Sequence, residues 1–172
     1  MTLVTVSQHF ALLWVAIEAT TLVSAPLIYF HRHHRSLEAT WKYLILCSVG
    51  IAMALLGSFF LAVAATDGGG GGHAPLVVGA LCARAESLDG LWLQAAFILF
   101  LVGYGTKMGL APLHSWLPDA HSEAPSVVSM LLSGALLNCA FLGLLRVFQV
   151  CVAAGLGDFA RELLVLLGLV SM

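Results

Sequence analysis

LFLVGYGTKMGLAPLHSWLPDAHSEAP, Leu99 to Pro125, sets one lysine and two histidines inside a strongly apolar run that prolines then interrupt. An ammonium group in hydrocarbon costs about 3 kcal/mol on insertion scales, so Lys107 requires a wet cavity or a partner. Pro112 and Pro118 predict where such a cavity sits. Each lacks the backbone donor for a bond four residues back, which predicts that the carbonyls of Met108 and His114 lose their helical partners. A helix broken at Pro112, with freed carbonyls, suits a hydrated interior along which protons or ions move.

The rest of the chain sets the class. It has 172 residues, 60% hydrophobic and 9% charged, with a mean hydropathy of +1.00. That excludes an ordinary soluble domain and predicts an all-α, polytopic membrane helical bundle with four or five crossings. Nothing basic precedes Arg32 and no short apolar stretch ends in a cleavage site, so a removable secretory signal is not expected. The net charge of -2 is spread thinly, with no basic patch interleaved with aromatics. No nucleic-acid partner is expected; membrane neighbours are. Cys47, Cys82, Cys139 and Cys151 form no C-x-x-C pair, which predicts buried free thiols, no metal and no iron–sulfur cluster in this chain.

Hydropathy places a first helix over about 8–30, roughly 34 Å of rise, and a second over 40–65. A third, over 88–121, is broken at 112, and a fourth covers 124–148. Residues 66–87 read as an extramembrane loop, with Gly68 to Gly72 a flexible linker and Leu76 to Leu81 too short to span. The segment 163–172 opens a fifth, incomplete helix and suggests a chain cut off within a longer fold. The run HRHHR, His31 to Arg35, is expected on the cytoplasmic side and against lipid head groups. With only Glu38 nearby, its histidines would organise a metal poorly.

Four ionisable side chains are candidates for carrying protons. Glu18 lies about 18 Å from either end of the first helix, too deep for its short side chain to reach an interface. It is either a protonated structural carboxyl or a functional group whose natural partner is Lys107. Lys107 either snorkels to the far surface or sits mid-segment, since Leu110, Leu113, Trp116 and Leu117 continue the apolar run beyond it. His114 and His121 follow it at seven-residue spacing, which would align all three on one face of a continuous helix and link the lysine to water. Structural or interfacial roles for both histidines remain open. Asn138 holds no charge but could anchor a water chain. Asp119 and Glu123 read as part of the solvated loop and the start of the fourth helix. Ser126, Ser129 and Ser133 beside Gly134 read as a helix-packing face, and Arg146 as an interfacial anchor.

These segments resemble the proton-translocating, antiporter-like membrane subunits shared by respiratory complex I, membrane-bound hydrogenases and multisubunit sodium/proton antiporters. The resemblance is carried by PLHSWLPDAHSEAPSVVSMLLSG, Pro112 to Gly134, and by WVAIEATTL, Trp14 to Leu22. With WKYLILCSVGIA at Trp41 to Ala52 and LLNCAFLGLLR at Leu136 to Arg146, the wording is most similar to the hydrogenase-4 component F and formate hydrogenlyase branch. The resemblance implies most of one five-helix repeat of a channel that has two. It matches Glu18 to the family's essential glutamate, Lys107 to the lysine of its broken helix, and His114 and His121 to the histidines that follow. Asn138 falls where many relatives carry a second lysine, a departure that leaves lateral transfer to water, histidine or another residue. It further implies other membrane subunits and peripheral redox or hydrogenase subunits as partners, with nickel–iron, iron–sulfur or quinone sites on those partners and no cofactor here. The implied location is the bacterial inner membrane. A non-conducting scaffold, a sodium/proton antiporter subunit and an inorganic-carbon uptake subunit are the rival readings.

Overall fold

The computed structural model describes residues 1–67 and 75–171. The short helix α1 (Thr2–Val6) leads into α2 (Phe10–Ile28), then a 3-10 turn at Tyr29–His31 and the long α3 (His34–Asp67). After α4 (Val78–Ala83) and a 3-10 turn at Ala85–Ser87 come α5 (Gly90–Met108), α6 (Trp116–Glu123) and α7 (Ser126–Leu131). A π-helical turn at Leu132–Leu136 joins α7 to α8 (Leu137–Ala153), and α9 (Gly157–Val170) follows. Four stretches among the described residues are long and apolar enough to cross a membrane: Phe10–His31, His34–Thr66, Gly90–Met108 and Ser126–Ala153.

Helix ends follow local chemistry that hydropathy alone does not register. The second long helix begins at His34 rather than near residue 40. Ser36 is the reason, because its hydroxyl accepts the His33 N–H at 3.1 Å and returns a bond to the His33 carbonyl at 2.9 Å, a side-chain cap for the first turn. Asp89 starts α5 by accepting the N–H groups of Leu91 and Trp92 at 2.8 and 3.1 Å, where a carboxylate also suits the positive end of the helix. The last helix opens at Gly157, six residues earlier than its apolar run suggests, with Asp158 in the first turn.

The break in the third span lies at Gly109, not at Pro112. Gly109 takes the left-handed conformation, with φ of 75°, which a Cβ disfavours. Its N–H bonds the Thr106 carbonyl at 3.3 Å, and the Leu110 N–H bonds the Gly105 carbonyl at 2.9 Å. This paired closure ends α5 completely. Pro112 therefore sits in the connection that follows, and Pro118 in the first turn of α6, where a missing N–H leaves no helical bond unmade. The His114 carbonyl, expected to be free, accepts the Leu117 N–H at 2.9 Å.

Within the expected surface loop, residues 75–87 are structured. Val78 and Leu81 on α4 are buried, and α4 packs on α8. Backbone bonds from Phe10 N–H to the Leu76 carbonyl (2.8 Å) and from Val78 N–H to the Gln8 carbonyl (3.0 Å) tie this segment to the start of α2. The expected Gly68 to Gly72 linker lies outside the described residues.

Three helices form the frame. The Trp14 indole donates to the Ile51 carbonyl at 2.6 Å and Ser24 meets Tyr43, so α2 and α3 run antiparallel. Between α3 and α5 the backbones touch: a Cβ on Gly103 would lie 2.6 Å from the Gly50 carbonyl oxygen and 2.7 Å from the Ala54 nitrogen. Small residues that let helices approach this closely are the usual device where lipid offers no hydrophobic contrast. Two apolar clusters result. Tyr104, one turn before Lys107, belongs to the larger, and Tyr43, which meets the Lys107 amine, to the smaller with Trp116, so the lysine sits where they adjoin. Gly103→Ala is expected to destabilise the protein by about 1–3 kcal/mol through overpacking. Gly79→Ala, where a Cβ meets nothing within 4 Å, is the control, and thermal unfolding in detergent compares the two.

Candidate functional site

Lys107 occupies the last turn of α5 and is 1% exposed. It does not snorkel. Its Nζ donates to Thr21 Oγ1 on α2 and, at 3.5 Å, to Tyr43 Oη on α3, and it stands 5.2 Å from the centre of the Tyr43 ring. Hydroxyls, a π face and the negative end of α5 together offset the loss of water around the ammonium.

The second hydrogen-bond layer fixes the donors. Ser24 Oγ donates to the Thr21 carbonyl at 3.1 Å, so the 2.7 Å contact between Ser24 and Tyr43 runs from the phenol to the serine. Tyr43 Oη is thereby left facing Lys107 with its lone pairs. Thr21 Oγ1 in turn donates to Glu18 Oε2 at 3.3 Å, and Ser48 Oγ donates to Glu18 Oε1 at 3.3 Å. Glu18 and Lys107 are thus joined through one hydroxyl rather than by direct contact. A threonine between a cation and a carboxylate can accept from one while donating to the other, so a proton can cross it in either direction.

Trp116 holds the broken helix in register with this site. Fully buried, its indole donates to the Thr106 carbonyl at 2.9 Å, beside the lysine, and its ring lies 5.0 Å from that of Tyr43. The start of α6 is therefore pinned to the end of α5.

The other expected residues lie apart from Lys107. Because α5 ends at Met108, the seven-residue spacing no longer describes one helical face, and His114 is exposed in the connection before α6. His121 is half-buried on α6, with Nδ1 at 2.5 Å from Ser129 Oγ on α7. Asn138 is exposed on α8, its Nδ2 donating to the Gly134 carbonyl of the π-helical turn at 2.6 Å. Ser133 and Gly134 are exposed too, so the expected packing face is open among the described residues. Asp119 and Glu123 both belong to α6 instead of a loop. Asp119 pairs with Lys42 at 2.9 Å, and Lys42 also reaches Glu38 at 2.8 Å. Arg146, expected at an interface, is buried. Of the cysteines, Cys47, Cys139 and Cys151 are buried and Cys82 is partly exposed.

Sequence reasoning missed Thr21, Ser24, Tyr43 and Ser48. For Thr21 a signal existed, since it follows Glu18 by three residues and shares its helical face. The α3 residues gave none, because their approach to Lys107 depends on how three distant segments pack.

The chain matches over residues 7–172 a family model described as NADH:quinone oxidoreductase/Mrp antiporter, TM. It is 43% identical over 173 residues to the hydrogenase-4 component F homolog of Methylacidiphilum infernorum, covering 100% of this chain and 36% of that protein. To NADH-quinone oxidoreductase subunit N of Deinococcus radiodurans it is 35% identical over 159 residues, covering 90% of this chain and 30% of the relative. Among solved structures, respiratory complex I from Thermus thermophilus with bound aureothin contains a similar chain, with a TM-score of 0.70 and 32% identity. That match covers 85% of this chain and 31% of the other. The chain thus spans about a third of the length of these relatives.

Thr21→Val preserves shape but removes the hydroxyl that Lys107 and Glu18 share. It is expected to destabilise the protein by about 1–3 kcal/mol, the cost of leaving a buried polar group unmatched, and Thr20→Val, at the neighbouring position, by less. Thermal melting of the purified complex measures both.

Proposed function

Because the chain belongs to the NADH:quinone oxidoreductase/Mrp antiporter transmembrane family, we propose that it is a proton-conducting portion of a membrane subunit in a redox-driven complex of the hydrogenase-4 or NADH-quinone oxidoreductase kind. In this reading Lys107 takes and releases the proton. Glu18 sets the charge balance of that step through Thr21, favouring the ammonium when ionised and releasing it when neutral. The observation that carries the reading is the chain of donors and acceptors from the buried Lys107 and Thr21 to the half-buried Glu18 and Ser48, spanning three helices.

Protons leave or arrive by way of water and the outer polar residues. His121 with Ser129 supplies a titratable ring next to a hydroxyl, and Asn138 with the Gly134 carbonyl supplies an uncharged anchor for water at the π-helical turn. His114, on the exposed connection, is placed to meet solvent or a neighbouring element. Energy comes from electron transfer on partner subunits, at nickel–iron, iron–sulfur or quinone sites, and the subunit resides in the bacterial inner membrane beside other membrane subunits. A lysine whose charge alternates is a lever for such coupling, because a displaced partner charge changes its protonation without any chemistry in this chain.

The test is proton pumping by the assembled complex in vesicles. Lys107→Gln is expected to abolish pumping, and Glu18→Gln to lower it by roughly tenfold or more, the scale for losing a positioned proton-transfer partner, while both complexes still assemble. Undiminished pumping in both variants would overturn the reading and favour a scaffold role.

A further inference from the structure

Among the described residues, Tyr104 Oη and Arg146 Nη1 are the buried side-chain polar atoms with no hydrogen-bond partner in the protein. Tyr104 is fully buried and Arg146 is 7% exposed. The two share one place in the fold. A Cβ on Gly143 would lie 3.0 Å from Tyr104 Cε2, and Arg146 follows Gly143 by one turn on the same side of α8. The other guanidinium nitrogen is committed, since Nη2 donates at 2.8 Å to the Thr5 carbonyl in the last turn of α1. A cation capping a helix C-terminus is favourable, but it leaves Nη1 directed elsewhere.

Leaving a guanidinium N–H and a phenol hydroxyl unmatched at one buried spot is costly for each group, more so for the charged one. Buried polar atoms so placed are ordinarily met by an ordered water with about three hydrogen bonds. A guanidinium N–H can only donate, a phenol can do both, and a water accepting from the first can donate to the second.

Position gives this pair a meaning for the lysine. Tyr104 precedes Lys107 on α5 by three residues, roughly 4.5 Å of rise. The C-terminal end of α8 lies against α4 and the Ala85–Ser87 turn, whereas Lys42 and Asp119 mark the opposite end of the bundle. Arg146 and Tyr104 thus lie on the side of Lys107 away from that ion pair.

We propose that Tyr104 Oη and Arg146 Nη1 hold a buried water at the junction of α1, α5 and α8, and that this water gives protons access to Lys107 from the α4 end of the bundle. The proposal rests on the proton-conducting reading above. The transfer balances without any redox step: the water accepts a proton from the aqueous side as it passes one to Tyr104 Oη, whose own proton goes by way of a second water to the neutral Lys107 amine, since the phenol meets no other protein group. Arg146 stays charged throughout and orients the water.

A high-resolution map of the complete membrane complex, with its pumping assay, tests this. The expected result is a solvent peak within hydrogen-bond distance of both Tyr104 Oη and Arg146 Nη1, lost in Tyr104→Phe and in Arg146→Lys, each with pumping lowered by roughly tenfold in an assembled complex. Arg146→Lys keeps the charge but not the two-pronged geometry, so it covers the case in which Tyr104→Phe fails to assemble. A map in which another protein group fills both bonds, with no solvent peak, overturns the proposal. Full pumping by Tyr104→Phe beside lost pumping in Lys107→Gln overturns it alone and leaves the conduction reading standing. Full pumping by Lys107→Gln overturns both.

Discussion

A buried ammonium governs this structure. Lys107 is almost wholly removed from solvent in a chain whose mean hydropathy is +1.00, and the charge is tolerable only if every neighbouring element contributes to it. Helix α2 supplies the Thr21 hydroxyl, α3 supplies Tyr43, and α5 ends at once beyond the lysine so that its carbonyl-rich end lies near the charge. The carboxylate sits one hydroxyl further away. Glu18 and Lys107 are thereby coupled through the Thr21 hydroxyl instead of forming a direct ion pair, whose two charges would both have to leave water.

A helix that ends among apolar side chains normally strands backbone groups there. Here the closure at Gly109 and Leu110 consumes two carbonyls, and the Trp116 indole brings a second donor to the Thr106 carbonyl. The same tryptophan packs on Tyr43, so one side chain satisfies the broken backbone and braces the lysine's aromatic partner. Functional break and structural repair occupy the same few residues.

Much of this was legible before any coordinates. Apolar runs interrupted at Arg32, near residue 66 and beyond Lys107 locate the long helices, and the lysine within an apolar run marks the site by its cost alone. What was not legible depended on conformation or on distant packing. Pro112 attracted the predicted break because it cannot donate a helical bond, yet the chain had already turned at Gly109, whose freedom in the left-handed region is decisive and whose letter is unremarkable in a run that also holds Gly103 and Gly105. Ser36 extended α3 through a cap that hydropathy ignores. His114 and His121 were aligned with Lys107 by a period that holds only along an unbroken helix. Arg146 read as an anchor because charges near helix ends usually are, but α1 folds against it and buries it.

The backbone contact between Gly50 and Gly103 has a mechanical consequence. With no side chain between them at this contact, α3 and α5 form one close-packed beam carrying Tyr43 and Lys107. Residues 109–115 are the short strap between that beam and α6, bridged by the Trp116 indole bond to the Thr106 carbonyl. Lys42 and Asp119 fasten the far side of the strap to the beam's outer edge by an exposed ion pair, a weak and salt-sensitive clasp. Lys107 is thereby carried by the closely packed pair, with α6 joined to it through a buried indole bond and an exposed ion pair.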